Sequence, residues 1–209
     1  GRVFEPDETQ LSGPPVAIGN GPVSRAVSLA LRTPLGRGAS RKWAAETDAS
    51  GSEYELDSGV FAGIWSRDTL TEYGGWDERW LRNQDSEMAG RFLARGERLI
   101  CLPAMASHYT PRNTLQGLWR QYLGYGEYRE KTAVRHPHTM RRSHLFAPAL
   151  VLTCVGAITA PRHVRPLARG AMGAYLVAVA WGTVSVARHA QERRDGFLVP
   201  AVLVTMHLG

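Results

Sequence analysis

Asp85 and Glu87 stand two residues apart in the string Asn83-Gln84-Asp85-Ser86-Glu87, shortly after Gly74-Gly75-Trp76-Asp77-Glu78. The residues around them read as a helix over 85–94, stopped by Gly96. Carboxylates in a first helical turn meet unpaired N–H groups and the positive end of the helix dipole, which keep them ionised. An ionised carboxylate at a helix start that faces a cleft is suited to take a proton from an alcohol. The same residues could also serve the helix alone, with Asp85 capping it and Glu87 complementing its dipole. Residue types and spacing leave both readings open.

The elements that must position this pair can be read on either side of it. Residues 54–65 are strand-like, and 67–73 form a short helix with Ser66 as its N-cap and Gly74-Gly75 as its stop. A compact strand over 99–102 ends at Pro103. A longer amphipathic helix follows, with Asn113 as its expected N-cap. Leu115, Leu118, Trp119, Tyr122 and Leu123 make one apolar stripe along it. That spacing places Trp119 in the core and leaves Arg120 and Gln121 off the stripe. His108 follows the short strand, where a lone histidine is usually just hydrogen-bonded. The fold class over residues 1–140 is therefore α/β. Residues 1–50 are rich in Gly, Pro and Ser and show little periodicity beyond a short helix over 23–32. The basic stretch Arg37 to Lys42 reads as an exposed loop, with a phosphate-binding loop as the alternative.

From residue 145 the character changes. Residues 145–160 and 170–187 carry no charge, and a third apolar run occupies 197–209. At ~1.5 Å per residue the first two are slightly short of a ~30 Å hydrocarbon core, but Tyr175, Trp181 and flanking arginines supply interface anchors. Basic residues on both sides of the first run leave its orientation unassigned. Across the 209 residues, 44% are hydrophobic and 21% charged, which argues against disorder. The net charge of +6 suits an anionic partner such as a diphosphate or phospholipid headgroups. Because the basic residues flank the apolar runs and form no aromatic-laced face, nucleic acid is not the expected partner. Cys101 and Cys154 lie far apart in apolar surroundings, as two small buried hydrophobes would.

The Gly-Gly-Trp-Asp-Glu string followed by Asn-Gln-Asp-Ser-Glu resembles the Gly-Gly-Phe-Asp-Glu and Glu-Asp region of family 2 glycosyltransferases of the GT-A fold. The succinoglycan-biosynthesis-type enzymes are the most similar. Leu118-Trp119-Arg120-Gln121-Tyr122, ahead of apolar C-terminal helices, is similar to a segment of the same enzymes. Residues 56–63 resemble their acceptor-side strand. The likeness is good over about 54–130 and loose over 1–50. One position departs from the pattern, since Gln84 stands where the family has Glu.

The resemblance implies inverting transfer from a nucleotide-diphosphate sugar to a polysaccharide or polyprenyl-linked acceptor. Asp85 would be the general base and Glu87 its support. It gives Arg120 and Gln121 contacts to donor phosphates or acceptor, with Arg112 serving an anionic acceptor equally well. It also implies a divalent cation, Mg or Mn, for which His108 is a candidate ligand. The family's main metal ligands form an Asp-x-Asp, and this sequence contains none. On this reading, residues 1–140 are the C-terminal portion of a GT-A domain whose nucleotide-binding half lies outside the sequence. Helices at about 145–160, 170–187 and 197–209 would then cross the bilayer of a bacterial inner membrane, with the catalytic domain cytoplasmic. A membrane subunit that keeps the fold and only scaffolds an assembly is the alternative from another functional class.

Overall fold

The computed structural model describes residues 8–38, 40–46 and 52–209. The chain forms two compact units. The first takes Gly1–Val16, Ser40–Tyr109 and Gly124–Met140, and the second takes Ala17–Ala39, Thr110–Leu123 and Arg141–Gly209.

The first unit is built on a mixed four-stranded sheet of β1 (Glu8–Gly13), β3 (Tyr54–Leu56), β4 (Ala62–Trp65) and β5 (Arg98–Cys101), in the order β3-β5-β1-β4. β1 runs parallel to β5, pairing Leu11 with Ile100, and antiparallel to β4, pairing Leu11 with Ile64. β3 is antiparallel to β5, with Leu56 opposite Leu99. A small second sheet pairs β2 (Pro15–Ala17) with β6 (Ser107–Tyr109). Helix α3 (Arg67–Glu72) begins at Ser66, whose Oγ accepts from the Thr69 N–H, as expected of an N-cap. It ends at Gly74 and Gly75, both in the left-handed region that glycine adopts most readily.

Helix α4 (Gln84–Ala94) packs on this sheet through Met88, Ala89 and Phe92, positions that share one helical face. They meet Leu56, Val60, Tyr73, Leu99 and Cys101, and the Tyr73 and Phe92 rings meet edge to face at 4.4 Å. Two expectations are corrected here. Residues 54–65 are two strands, separated by a loop through Gly59, where a Cβ would stand 2.2 Å from Ser86 Oγ. And the Gly-, Pro- and Ser-rich start of the chain contains β1, an interior strand of the sheet.

In the second unit, helix α1 (Pro22–Arg32) packs against α8 (Arg193–Leu208), together with α2 (Pro34–Arg37), α6 (Phe146–Thr159) and α7 (Arg165–Ala187). Asn113 does not cap α5 (Leu115–Arg135), as its position had suggested. Its Oδ1 accepts from the Ser24 N–H in the first turn of α1, while Thr114 Oγ1 accepts from Gly117 N and caps α5. Gly21 makes room for this, since a Cβ there would lie 2.2 Å from the Asn113 amide. The α5 stripe is also less buried than its spacing implied. Leu118 is in the core, but Leu115, Leu123 and Trp119 are exposed, Trp119 at 41%.

Arg25 ties α1 to α8. Its guanidinium grips the fully buried Asp195 through Nε at 2.7 Å and Nη2 at 3.1 Å, and also reaches Glu192 at 2.7 Å. The third apolar run thus forms a 16-residue helix whose Val199, Val202 and Leu203 are fully buried. The first two runs differ from it. Arg142–Thr159 and Arg165–Ala187 are long and apolar enough to cross a membrane, and little of either is buried. Leu152, Ile158, Val177, Trp181 and Val184 are all more than two-thirds exposed.

Two outcomes follow from this packing. Phe92→Ala empties the centre of the first core and should cost about 3–5 kcal/mol, read from the unfolding midpoint of the protein in mild detergent. The Arg25 guanidinium holds the Asp195 carboxyl below the usual carboxylate range. Its stabilisation is therefore complete above the unfolded carboxylate pKa of about 4 and lost as pH falls through the lower folded value. Melting profiles against pH should show this acid loss in the parent protein and a smaller one in Asp195→Asn.

Candidate functional site

The residues from Gly74 to Glu87 are fixed by a hydrogen-bonded scaffold within the first unit. Thr132, buried on the last turns of α5, is its hub. Its Oγ1 accepts from Trp80 Nε1 at 2.9 Å and Asn83 Nδ2 at 3.1 Å, and donates to the Tyr128 carbonyl. Asn83 takes up a left-handed conformation (φ 60°), one that asparagine tolerates better than most residues. Its carbonyl accepts from the N–H groups of Ser86 and Glu87, which starts α4. Asp77 folds back on Arg79, accepting from its backbone N–H at 3.0 Å and its guanidinium at 2.6 Å. That pairing holds the Asp77 carboxyl far below the usual carboxylate range. Lys131 extends this edge, donating to the Arg79 carbonyl and lying 4.5 Å over the Trp80 ring.

Glu87 and Asp85 have opposite environments. The Glu87 side chain is only 3% exposed. Arg91 Nε and Nη2 reach its two oxygens at 3.0 and 3.1 Å, and His136 Nε2 lies 2.9 Å from Oε1. The carboxylate can only accept, so Nε2 carries the proton in that bond. Arg91 also donates to the carbonyls of Tyr73 and Gly75, so one side chain joins the Gly-Gly turn to α4. His138 adds a bond to the Gly90 carbonyl. Beside this network lies an open cavity of about 240 Å³, lined by Gly74, Gly75, Asp77, Glu87, Arg91, Arg135 and His136.

Asp85 occupies the second position of α4, with Asn83 in the cap position, so it is not the helix cap. Its side chain is 37% exposed, and it pairs with Lys42 Nζ at 4.0 Å. The Lys42 amine is itself pushed down from the usual lysine range by burial, against the pull of Asp85. Of the two carboxylates in this turn, then, Glu87 is consumed by the fold and Asp85 is open to a proton donor.

The other site residues suggested by the sequence lie on other segments of the chain. His108 lies on β6 and is exposed. No three metal-ligating side chains converge among the described residues, so these residues do not of themselves compose a site for a divalent cation. Arg112, Arg120 and Gln121 belong to the second unit, with both arginines exposed and Gln121 half-buried. Two residues of this region stand out against the sequence reading. His136, which no sequence feature singled out, is a direct partner of Glu87. Lys42, assigned to an exposed basic loop, is partly buried against Asp85. The Glu87–Arg91 pair could have been found from its i, i+4 spacing. His136 lies 49 residues from Glu87, and no local pattern announces it.

No known family model matches the chain. Among curated proteins, it is similar to the succinoglycan biosynthesis protein ExoA of Rhizobium meliloti (strain 1021), at 28% identity over 143 residues. The match covers 68% of this chain and 42% of that protein, so the chain spans less than half the length of the relative. The resemblance drawn from the Gly-Gly-Trp-Asp-Glu and Asn-Gln-Asp-Ser-Glu strings to succinoglycan-type glycosyltransferases is supported by this similarity.

Because Glu87 holds the turn together, Glu87→Gln should lower the melting midpoint, by an amount equivalent to about 1–3 kcal/mol for a buried cation left short of its acceptor. Thermal unfolding in detergent measures this. An unchanged midpoint would show that the network does not hold the turn.

Proposed function

We propose that the protein is an inverting glycosyltransferase with a GT-A-type catalytic domain, acting in exopolysaccharide synthesis at the cytoplasmic face of a bacterial inner membrane. The observation that carries this reading is the contrast on α4 between an enclosed Glu87 and a solvent-open Asp85. It lies within the string that resembles the transferase motif, in a chain similar to a succinoglycan biosynthesis protein.

Asp85 accepts the proton of an acceptor hydroxyl as that oxygen attacks the anomeric carbon of a nucleotide-diphosphate sugar. The bond from that carbon to the diphosphate breaks, and the diphosphate leaves with the electron pair. Lys42 lies beside Asp85 as its ion-pair partner, and Glu87 acts only by fixing the helix that presents Asp85. For Arg120 and Gln121 the support is the Leu118-Trp119-Arg120-Gln121-Tyr122 segment, in which the Arg120 guanidinium fork suits phosphate oxygens, and the exposed Arg112 would serve an anionic acceptor. A divalent cation, Mg or Mn, would when bound supply positive charge to the departing diphosphate.

A membrane setting is supported by the lipid-like surface of α6 and α7. Arg165 and Arg169 at the turn between them bond the Ala160 and Ala157 carbonyls, placing fixed positive charge at the C-terminal end of α6. A polyprenyl-linked or polymeric acceptor would meet its transferase at such a surface. Sedimentation with membranes, and release by detergent but not by alkaline carbonate, is the outcome expected of integral spans.

The decisive variant is Asp85→Asn, assayed for sugar transfer in membranes from cells making the protein. Asparagine keeps the size of the side chain and cannot take the proton. Transfer should fall by about 10²–10⁴-fold, with the melting midpoint nearly unchanged, because the long, partly exposed pair with Lys42 contributes about 1 kcal/mol or less. A full transfer rate in this variant would remove Asp85 from the mechanism.

A further inference from the structure

Three aromatic rings in the first unit cluster together, although they come from distant parts of the sequence. Phe61 and Trp43 both meet the Tyr109 ring edge to face, at centroid separations of 5.7 and 5.8 Å. Two independent links tie this cluster to the first turn of α4. Trp43 directly follows Lys42, whose ammonium pairs with Asp85. Phe61 lies two residues beyond Gly59, which is seated so tightly on Ser86 that a Cβ would lie 2.2 Å from its Oγ.

Phe61 is 40% exposed, and the core of the unit is complete without it. The rings therefore form a partly open apolar wall whose edge-to-face contacts fix their orientation. Fixed rings carried on the segments that reach the first turn of α4 and its Asp85–Lys42 pair suit a ligand that is apolar on one face and hydroxylated at its edge. A pyranose ring has that character, presenting a face of C–H groups and a rim of hydroxyls.

We infer that Trp43, Phe61 and Tyr109 form the platform that receives the terminal sugar ring of the acceptor and turns one of its hydroxyls towards Asp85. This deepens the transferase reading and rests on it. A rigid aromatic platform binds at small entropic cost, and an aromatic ring stacked on a planar ligand is worth roughly 1–3 kcal/mol when tested by truncation. A C–H face gains less contact than a planar base, which puts the expected loss near the lower end, about tenfold in affinity.

The test is binding of short oligosaccharides, released by mild acid from the glycans of the cells that make the protein, to the detergent-solubilised chain. Saturation-transfer NMR reads the sugar C–H protons directly. The parent protein should bind, Phe61→Ala and Trp43→Ala should each weaken binding about tenfold, and Phe61→Trp should restore it. Phe61 is exposed enough for its truncation to leave the fold intact, and the melting midpoint of each variant checks this. Failure of the parent to bind, or equal binding by Phe61→Ala and Trp43→Ala, would overturn the platform. Full transfer activity in Asp85→Asn alongside weakened binding by the ring variants would instead remove the base and leave the platform standing.

Discussion

Glu87 is almost wholly withdrawn from water, and a carboxylate in that position is tolerable only when cations and donors satisfy its oxygens. Arg91 and His136 do so, and the rest of the turn follows from their placement. The guanidinium that satisfies Glu87 has donors to spare, and these hold the carbonyls of Tyr73 and Gly75. The Gly-Gly turn is thereby fixed to the helix whose first turn carries Asp85. Thr132 secures the same region from the other side, through Trp80 and Asn83. The network gives the first turn of α4 a rigid support without using Asp85 itself, as the proposed base role would require.

The second unit handles charge in the opposite way. It buries a single carboxylate, Asp195, under a bidentate guanidinium from Arg25, and so joins α1 to α8. Its other helices turn apolar side chains outward. In water such a surface is a liability, whereas in hydrocarbon it is neutral. The arrangement accounts for why α8 is the buried member of the three apolar helices. It packs on α1 and α7, while α6 and α7 keep most of their side chains outside the protein interior.

Features set by local chemistry were legible in the sequence. Ser66 caps α3, Gly74 and Gly75 end it, Pro103 follows the β5 strand, and α4 begins within a residue of its expected start. These depend on backbone dihedrals and neighbouring donors, which residue types dictate directly. Features set by pairing across the chain were not legible. β1 is an interior strand, yet it lies among glycines and prolines and joins β5 in parallel across nearly ninety intervening residues. Asn113 looked like the cap of the helix that follows it and caps α1 instead, because Gly21 lets the two segments approach. The pair Asp85 and Glu87 could be picked out, but their different roles could not. The distinction depends on Arg91, which spacing suggests, and on His136, which only the folded chain brings near.

That distinction bears on the stereochemistry of transfer. A retaining double displacement needs a carboxylate placed to form a covalent glycosyl intermediate, followed by a base for the second step. In the first turn of α4 one carboxylate, Glu87, is sealed into an ion network, and the proposed mechanism uses Asp85 alone, as the base of a single displacement. The anomeric configuration of the newly formed linkage, determined by NMR of product made from a donor of known configuration, tests this most directly. The account predicts inversion at the anomeric carbon. Retention of the donor configuration would contradict it.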